Sequence, residues 1–185
     1  MEQNSSTIWK SSLIYGLYLA LISILISVII WAGDLMQSFG IWGSAIIGLI
    51  SIVITFVLLI VFTKLYRNKV LGGFISYGHA FKFGVLVVVF ATIISSLYNL
   101  LFHTVIDPGY TENLMAVMQQ KTISYMEQVG APESQIDKTV EKFSDIPTVW
   151  ETIKQGLLIG VISGVILSLI SAAIVKKKEE PIIEE

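Results

Sequence analysis

The chain has 185 residues, of which 54% are hydrophobic and only 14% charged, with a formal net charge of −2; a soluble domain usually carries about 25% charged residues. That balance excludes a chain solvated by water alone, and nothing in it points to nucleic acid. Cysteine is absent, which removes disulfides, Cys-ligated zinc, iron–sulfur clusters and cysteine nucleophiles.

Charge is distributed so that uncharged runs cover residues 11–33, 35–63, 83–106 and 155–175. Each is long enough to span a bilayer, which takes roughly 20 apolar residues in a helix that satisfies its own backbone hydrogen bonds. The expected fold is all-α, an integral membrane four-helix transmembrane bundle as one domain, with spans at about 12–32, 42–63, 83–103 and 153–175. The first span follows Lys10 and exceeds the ~7–15 residues of a signal-peptide core, and no A-x-A-like site closes it, so it is expected to stay as an anchor.

Between the second and third spans lie Lys64, Arg67, Lys69 and Lys82 with no acidic residue, whereas the first loop holds Asp34 and no basic residue. Short basic loops face the cytoplasm. The short charged tail 176–185 opens with Lys176, Lys177 and Lys178 and ends in glutamates, which puts both termini in the cytoplasm. The same basic residues are expected to touch lipid headgroups. Trp9, Trp31, Trp42 and Trp150 stand near the span ends, where amphipathic rings rest at headgroup level.

Residues 104–152 then fall outside, and their acidic excess agrees with that side. Leu114, Val117, Met118, Tyr125 and Val129 recur at helical spacing, Gly130 stops that helix, and Pro132 starts a second with the stripe Ile136, Val140 and Phe143. The reading is an extracytoplasmic helical hairpin between spans three and four. It serves as a cap on the bundle or headgroups, or as the platform for a protein partner.

The fourth span carries Gly156, Gly160, Gly164, Ser168 and Ala172, a small residue at every fourth position. Such a ridge marks helix packing, either within the chain or in a homodimer through the fourth span. Gly16, Ala20, Ser23 and Ser27 in the first span, and Ser44, Gly48 and Thr55 in the second, offer opposing faces. Thr92, Ser95, Ser96 and Asn99 form a polar seam in the third span, read as interhelical hydrogen bonding or as the lining of a small hydrophilic path. No ionisable residue interrupts the spans, which leaves no catalytic, metal or cofactor-binding residue to nominate. His103 and Asp107 stand four apart at a span edge, and His79 in the basic loop has no second ligand in sight. Gly72, Gly73 and Gly78 lack phosphate-loop spacing and read as turns.

Tyr66-Arg67-Asn68-Lys69, then Gly73-Phe74-Ile75-Ser76-Tyr77-Gly78-His79-Ala80-Phe81-Lys82, and later Asp107-Pro108-Gly109-Tyr110 resemble the domain of unknown function 4199 family over about Trp9 to Lys178. The resemblance implies a small multi-pass protein of the bacterial inner membrane, chiefly in Bacteroidota, with residues 104–152 in the periplasm and no assigned activity. Gln is common in that family at the position of His79, so this chain departs there. The functional expectation is a non-enzymatic structural or interaction protein without a cofactor; the alternative is a subunit of an oligomeric small-solute transporter or channel.

Overall fold

A computed structural model describes residues 2–177, the side chains of residues 2–6, 37, 39–41 and 44 excepted. The described chain is helical: α1 (Glu2–Ala32), α2 (Leu35–Val70), α3 (Tyr77–Leu101) extended by a π-turn over Phe102–Ile106, α4 (Tyr110–Gln128), α5 (Glu133–Ser144) and α6 (Val149–Val175). Four stretches are long and apolar enough to cross a membrane: Thr7–Ala32, Ala45–Val70, Tyr77–Ile106 and Val149–Val175. Lys178 and the rest of the tail, with the side chain of Ser44, lie outside the described residues.

Local chemistry sets the boundaries. Asp34 turns the chain between α1 and α2 in the left-handed region, with φ 47°. Ser76 starts α3 by accepting a hydrogen bond from the His79 amide at 3.3 Å. Thr148 and Glu151 start α6 with a reciprocal capping box. Gly130, at φ 71°, ends α4; its amide bonds Glu127 O at 3.1 Å and that of Ala131 bonds Met126 O at 2.9 Å, the paired closure that a left-handed residue permits.

The spans pack in the ring order α1, α3, α6, α2, with the most extensive contacts between α3 and its two neighbours. Lipid tails are as apolar as leucine, so no hydrophobic gradient drives these helices together and close van der Waals fit must do it. Glycine supplies that fit. A Cβ on Gly16 would lie 2.7 Å from Phe90 Cβ, one on Gly84 2.9 Å from Ser168 Oγ, one on Gly160 2.9 Å from Thr92 Cγ2, and one on Gly164 would overlap the Val88 side chain. Four residues forward along α3 thus answer to four residues back along α6. Ala80 and Ala172, one further turn along each helix, are both fully buried.

The core is lopsided. Leu59, Tyr66, Phe83, Val87 and Val175 are fully buried, and all sit toward the end that carries the α2–α3 loop, here called the basic end. At the opposite end, beside α4 and α5, Trp42, Leu97 and Trp150 are each more than 60% exposed. α4 and α5 contain no fully buried residue.

Substituting Leu for Gly164 is expected to force α3 and α6 apart and cost about 1–3 kcal/mol or more, the range for overpacking a filled core. Gly156→Ala is expected to cost nothing and to gain up to about 1 kcal/mol, because a Cβ there meets nothing within 4 Å and Ala is the better helix former. Unfolding of the two variants in mixed detergent micelles checks both; a comparable loss in Gly156→Ala would mean that the notch facing Val88 is not what the ridge provides.

Candidate functional site

The basic end is built around Tyr66. Its ring stacks face to face on Phe83, with centroids 4.1 Å apart and planes 1° from parallel, and its hydroxyl shares a 3.0 Å hydrogen bond with His79 Nε2. His79 therefore belongs to the first turn of α3 and to the bundle, whereas the sequence reading left it in a loop. One residue on, Arg67 Nη1 donates to Val175 O at 2.9 Å, where the last turn of α6 has carbonyls with no helical partner. Ile75 and Lys177 exchange two backbone hydrogen bonds of 2.9 and 3.0 Å, forming an isolated antiparallel bridge. Lys177 Nζ also lies 5.4 Å above the Phe74 ring. Lys64, Lys69, Lys82, Lys176 and Lys177 are exposed around this node, so Arg67 is a half-buried structural cation within a surface of exposed ones.

The opposite end has its own node. Trp31 Nε1 donates to Asp107 Oδ2 at 3.1 Å, joining the end of α1 to the turn after α3. Phe102 sits edge-on to Trp31 at 5.7 Å and to Tyr110 at 5.4 Å, and His103 Nδ1 meets Thr111 Oγ1 at 3.3 Å. Burial first, then the charges of Asp34 and Asp107, pushes the Tyr110 phenol above its ordinary pKa, so it stays a neutral hydroxyl at physiological pH. Among the described residues, no three His, Asp or Glu side chains converge to hold a metal ion.

Between these nodes two interior chambers lie along the bundle. One is bordered by Leu19, Ser23, Thr55, Thr92, Ser95 and Ser163, with Gly156, Gly160 and Gly164 along one wall. The other is bordered by Ser23, Ser27, Trp31, Ser51, Asn99 and His103. Of the polar seam, Thr92, Ser95 and Asn99 face this interior. Ser96 does not, because it turns to a groove beside Ile153 and Trp150. The positions 92, 95 and 99 follow the three- and four-residue steps of one helix face, and 96 lies a further 100° round from 95.

The fourth-span ridge divides in the same way. Gly160, Gly164 and Ser168 meet α3, while Gly156 meets nothing. The faces that the sequence offered as opposing surfaces do not take that role: Gly16 packs on α3, and Gly48 meets nothing. The ridge is filled by Val88 and Thr92, which are not small. Ser51 and Ser163 were not singled out by sequence reasoning, although hydroxyls inside apolar spans are a signal in themselves.

These features define a multi-pass membrane bundle of four apolar helices with two further helices between the third and the fourth. A family model described as "Protein of unknown function (DUF4199)" matches residues 14–177, and the chain belongs to that family. No curated protein and no solved structure matches it.

Removing the Tyr66 hydroxyl alone, in Tyr66→Phe, is expected to cost about 1 kcal/mol, and Tyr66→Ala about 3–5 kcal/mol through the cavity it leaves. Reversible unfolding in micelles measures both. Equal losses would show that the hydrogen bond to His79, and not the stack on Phe83, holds the basic end together.

Proposed function

We propose that this protein is a non-enzymatic component of a bacterial inner membrane, whose bundle fixes the α4–α5 hairpin in the periplasm and a basic rim in the cytoplasm for interaction with a protein partner and with lipid. The observation that carries this reading is the α4–α5 segment itself. It touches the spans only through α4 against α2 and contains no fully buried residue. Its α5 helix keeps the apolar stripe Ile136, Val140 and Phe143 half-exposed, and a helix with one apolar face needs something to cover it.

The exposed lysines support the orientation. Lys64, Lys69, Lys82, Lys176 and Lys177 are exposed at one end of the bundle, which supports a cytoplasmic side for that end and for both termini. Each cation beside an anionic leaflet contributes about 1 kcal/mol of lipid attraction. The small-residue ridge of α6 is occupied by α3. That favours packing within the chain over a homodimer through the fourth span.

The basic end is sealed by the fully buried side chains of Leu59, Thr63, Tyr66 and Phe83. A single copy in this conformation therefore has no through-path, which weighs against an open channel. Two experiments test the reading. A membrane-impermeant thiol reagent is expected to label Ser134→Cys from the periplasm and Lys69→Cys only after the cytoplasmic side is opened. A photo-crosslinker at Ile136 or Phe143 in native membranes is expected to capture one recurrent protein, with loss of that adduct in Val140→Glu. Capture of lipid and self alone would sink the partner reading, and solute flux through the purified protein in liposomes would replace it with the transport alternative.

A further inference from the structure

We propose that the two interior chambers form a dead-ended binding vestibule, entered from the α4–α5 end, for a small uncharged solute rich in hydrogen-bond donors, of the polyol or amide class. This goes beyond the scaffold role and does not depend on it.

The chambers hold about 240 Å³ each and share Ser23, so they are stacked end to end along the bundle. Gly156 shows that the space is kept open, because a Cβ added there meets nothing within 4 Å. Its neighbours on the ridge are small so that α3 can approach; Gly156 is small where no helix arrives. The hydroxyls and the Asn99 amide set in these otherwise apolar walls offer the two to four partners that a polar guest requires.

The chemistry of the guest follows from the walls. Ser23 Oγ donates to Leu19 O at 2.9 Å, Thr55 Oγ1 to Ser51 O at 2.8 Å and Ser163 Oγ to Ile159 O at 2.7 Å. In the second chamber Ser51 Oγ donates to Ile47 O at 2.8 Å and Asn99 Nδ2 to Ser95 O at 3.0 Å. Each of these hydroxyls has spent its proton on its own helix and keeps oxygen lone pairs to offer, while Asn99 keeps its carbonyl oxygen and one N–H. The walls therefore offer chiefly acceptors, with one donor at Asn99, and their best guest is rich in donors. No Asp, Glu, Lys or Arg borders either chamber, so a permanent ion would lose its hydration without a countercharge. The guest is neutral. The sealed basic end closes one route, which leaves the end framed by Trp31, Met36, His103 and Tyr110.

The natural absence of cysteine allows a direct test in proteoliposomes with a small neutral water-soluble maleimide. Thiols react as thiolates, which form in water and not in hydrocarbon. Ser95→Cys and Ser163→Cys are expected to react at least about tenfold faster than Leu97→Cys on the outer apolar surface, and Thr63→Cys at the sealed end is expected to stay unreactive. Glycerol or erythritol is expected to slow Ser95→Cys at least about threefold while leaving exposed Ser38→Cys unchanged. Filling the space with Gly156→Leu, in a variant that still purifies as a single species, is expected to abolish the fast labelling. Labelling of Ser95→Cys no faster than Leu97→Cys would overturn the vestibule. Fast labelling indifferent to the polyols would reduce it to a water pocket and overturn the ligand assignment, as would fast labelling that survives Gly156→Leu.

Discussion

The insertion of Val88 and Thr92 of α3 into the notches left by Gly164 and Gly160 of α6 is the contact from which the rest of the arrangement follows. In lipid, a helix gains little by exchanging acyl chains for leucine, so association depends on how closely two backbones approach and how many atoms then touch. Branched side chains entering glycine notches maximise both. With α6 held on one side and α1 brought in by Gly16 on the other, α3 becomes the element on which the bundle is assembled. α2, whose Gly48 has no neighbour to receive, closes the ring more loosely.

That interlock fixes the middle of the helices but leaves their ends to polar chemistry. At the basic end the Arg67 guanidinium bonds the last carbonyl of α6, and the Ile75–Lys177 bridge holds the chain leaving α6 against the chain entering α3. Carbonyls at a helix end near hydrocarbon are costly if left unpaired. Arg67 and Ile75 meet the exit of α6, and Tyr66, Ser76 and His79 hold the start of α3, so this short stretch of sequence builds one structural joint. The Trp31–Asp107 bond is the lighter counterpart at the other end.

The spans were legible in the sequence because length and absence of charge are local properties. So were the stop at Gly130 and the restart at Pro132, where a single residue's backbone preference decides the outcome, whereas the Thr148 cap of α6 was not singled out. The small ridge of α6 was legible as a contact surface but its partner was not. A search for a matching small face led to α1 and α2, whereas a notch is filled by a larger knob, and Val88 and Thr92 look unremarkable in a span full of branched residues. Arg67–Val175 and Trp31–Asp107 pair residues 108 and 76 apart, and no periodicity connects such positions. The chambers were half legible. Thr92, Ser95 and Asn99 announce a polar face, but only the missing neighbour of Gly156 reveals that it borders space.

A bundle locked at one end and loose at the other has a mechanical consequence. The tightly packed end contains nearly all the fully buried side chains, so opening there would expose many contacts at once. Local opening therefore belongs to the sparsely packed end. There α4 leans on α2, and Lys121 Nζ reaches Ser38 O at 3.3 Å. α2 in turn carries Thr55 and Ser51 into the chamber walls. The extramembrane helices and the interior space are thus joined through one lightly held helix. Whatever rests on α4 and α5 bears on α2, and the width of the chambers depends on where α2 stands.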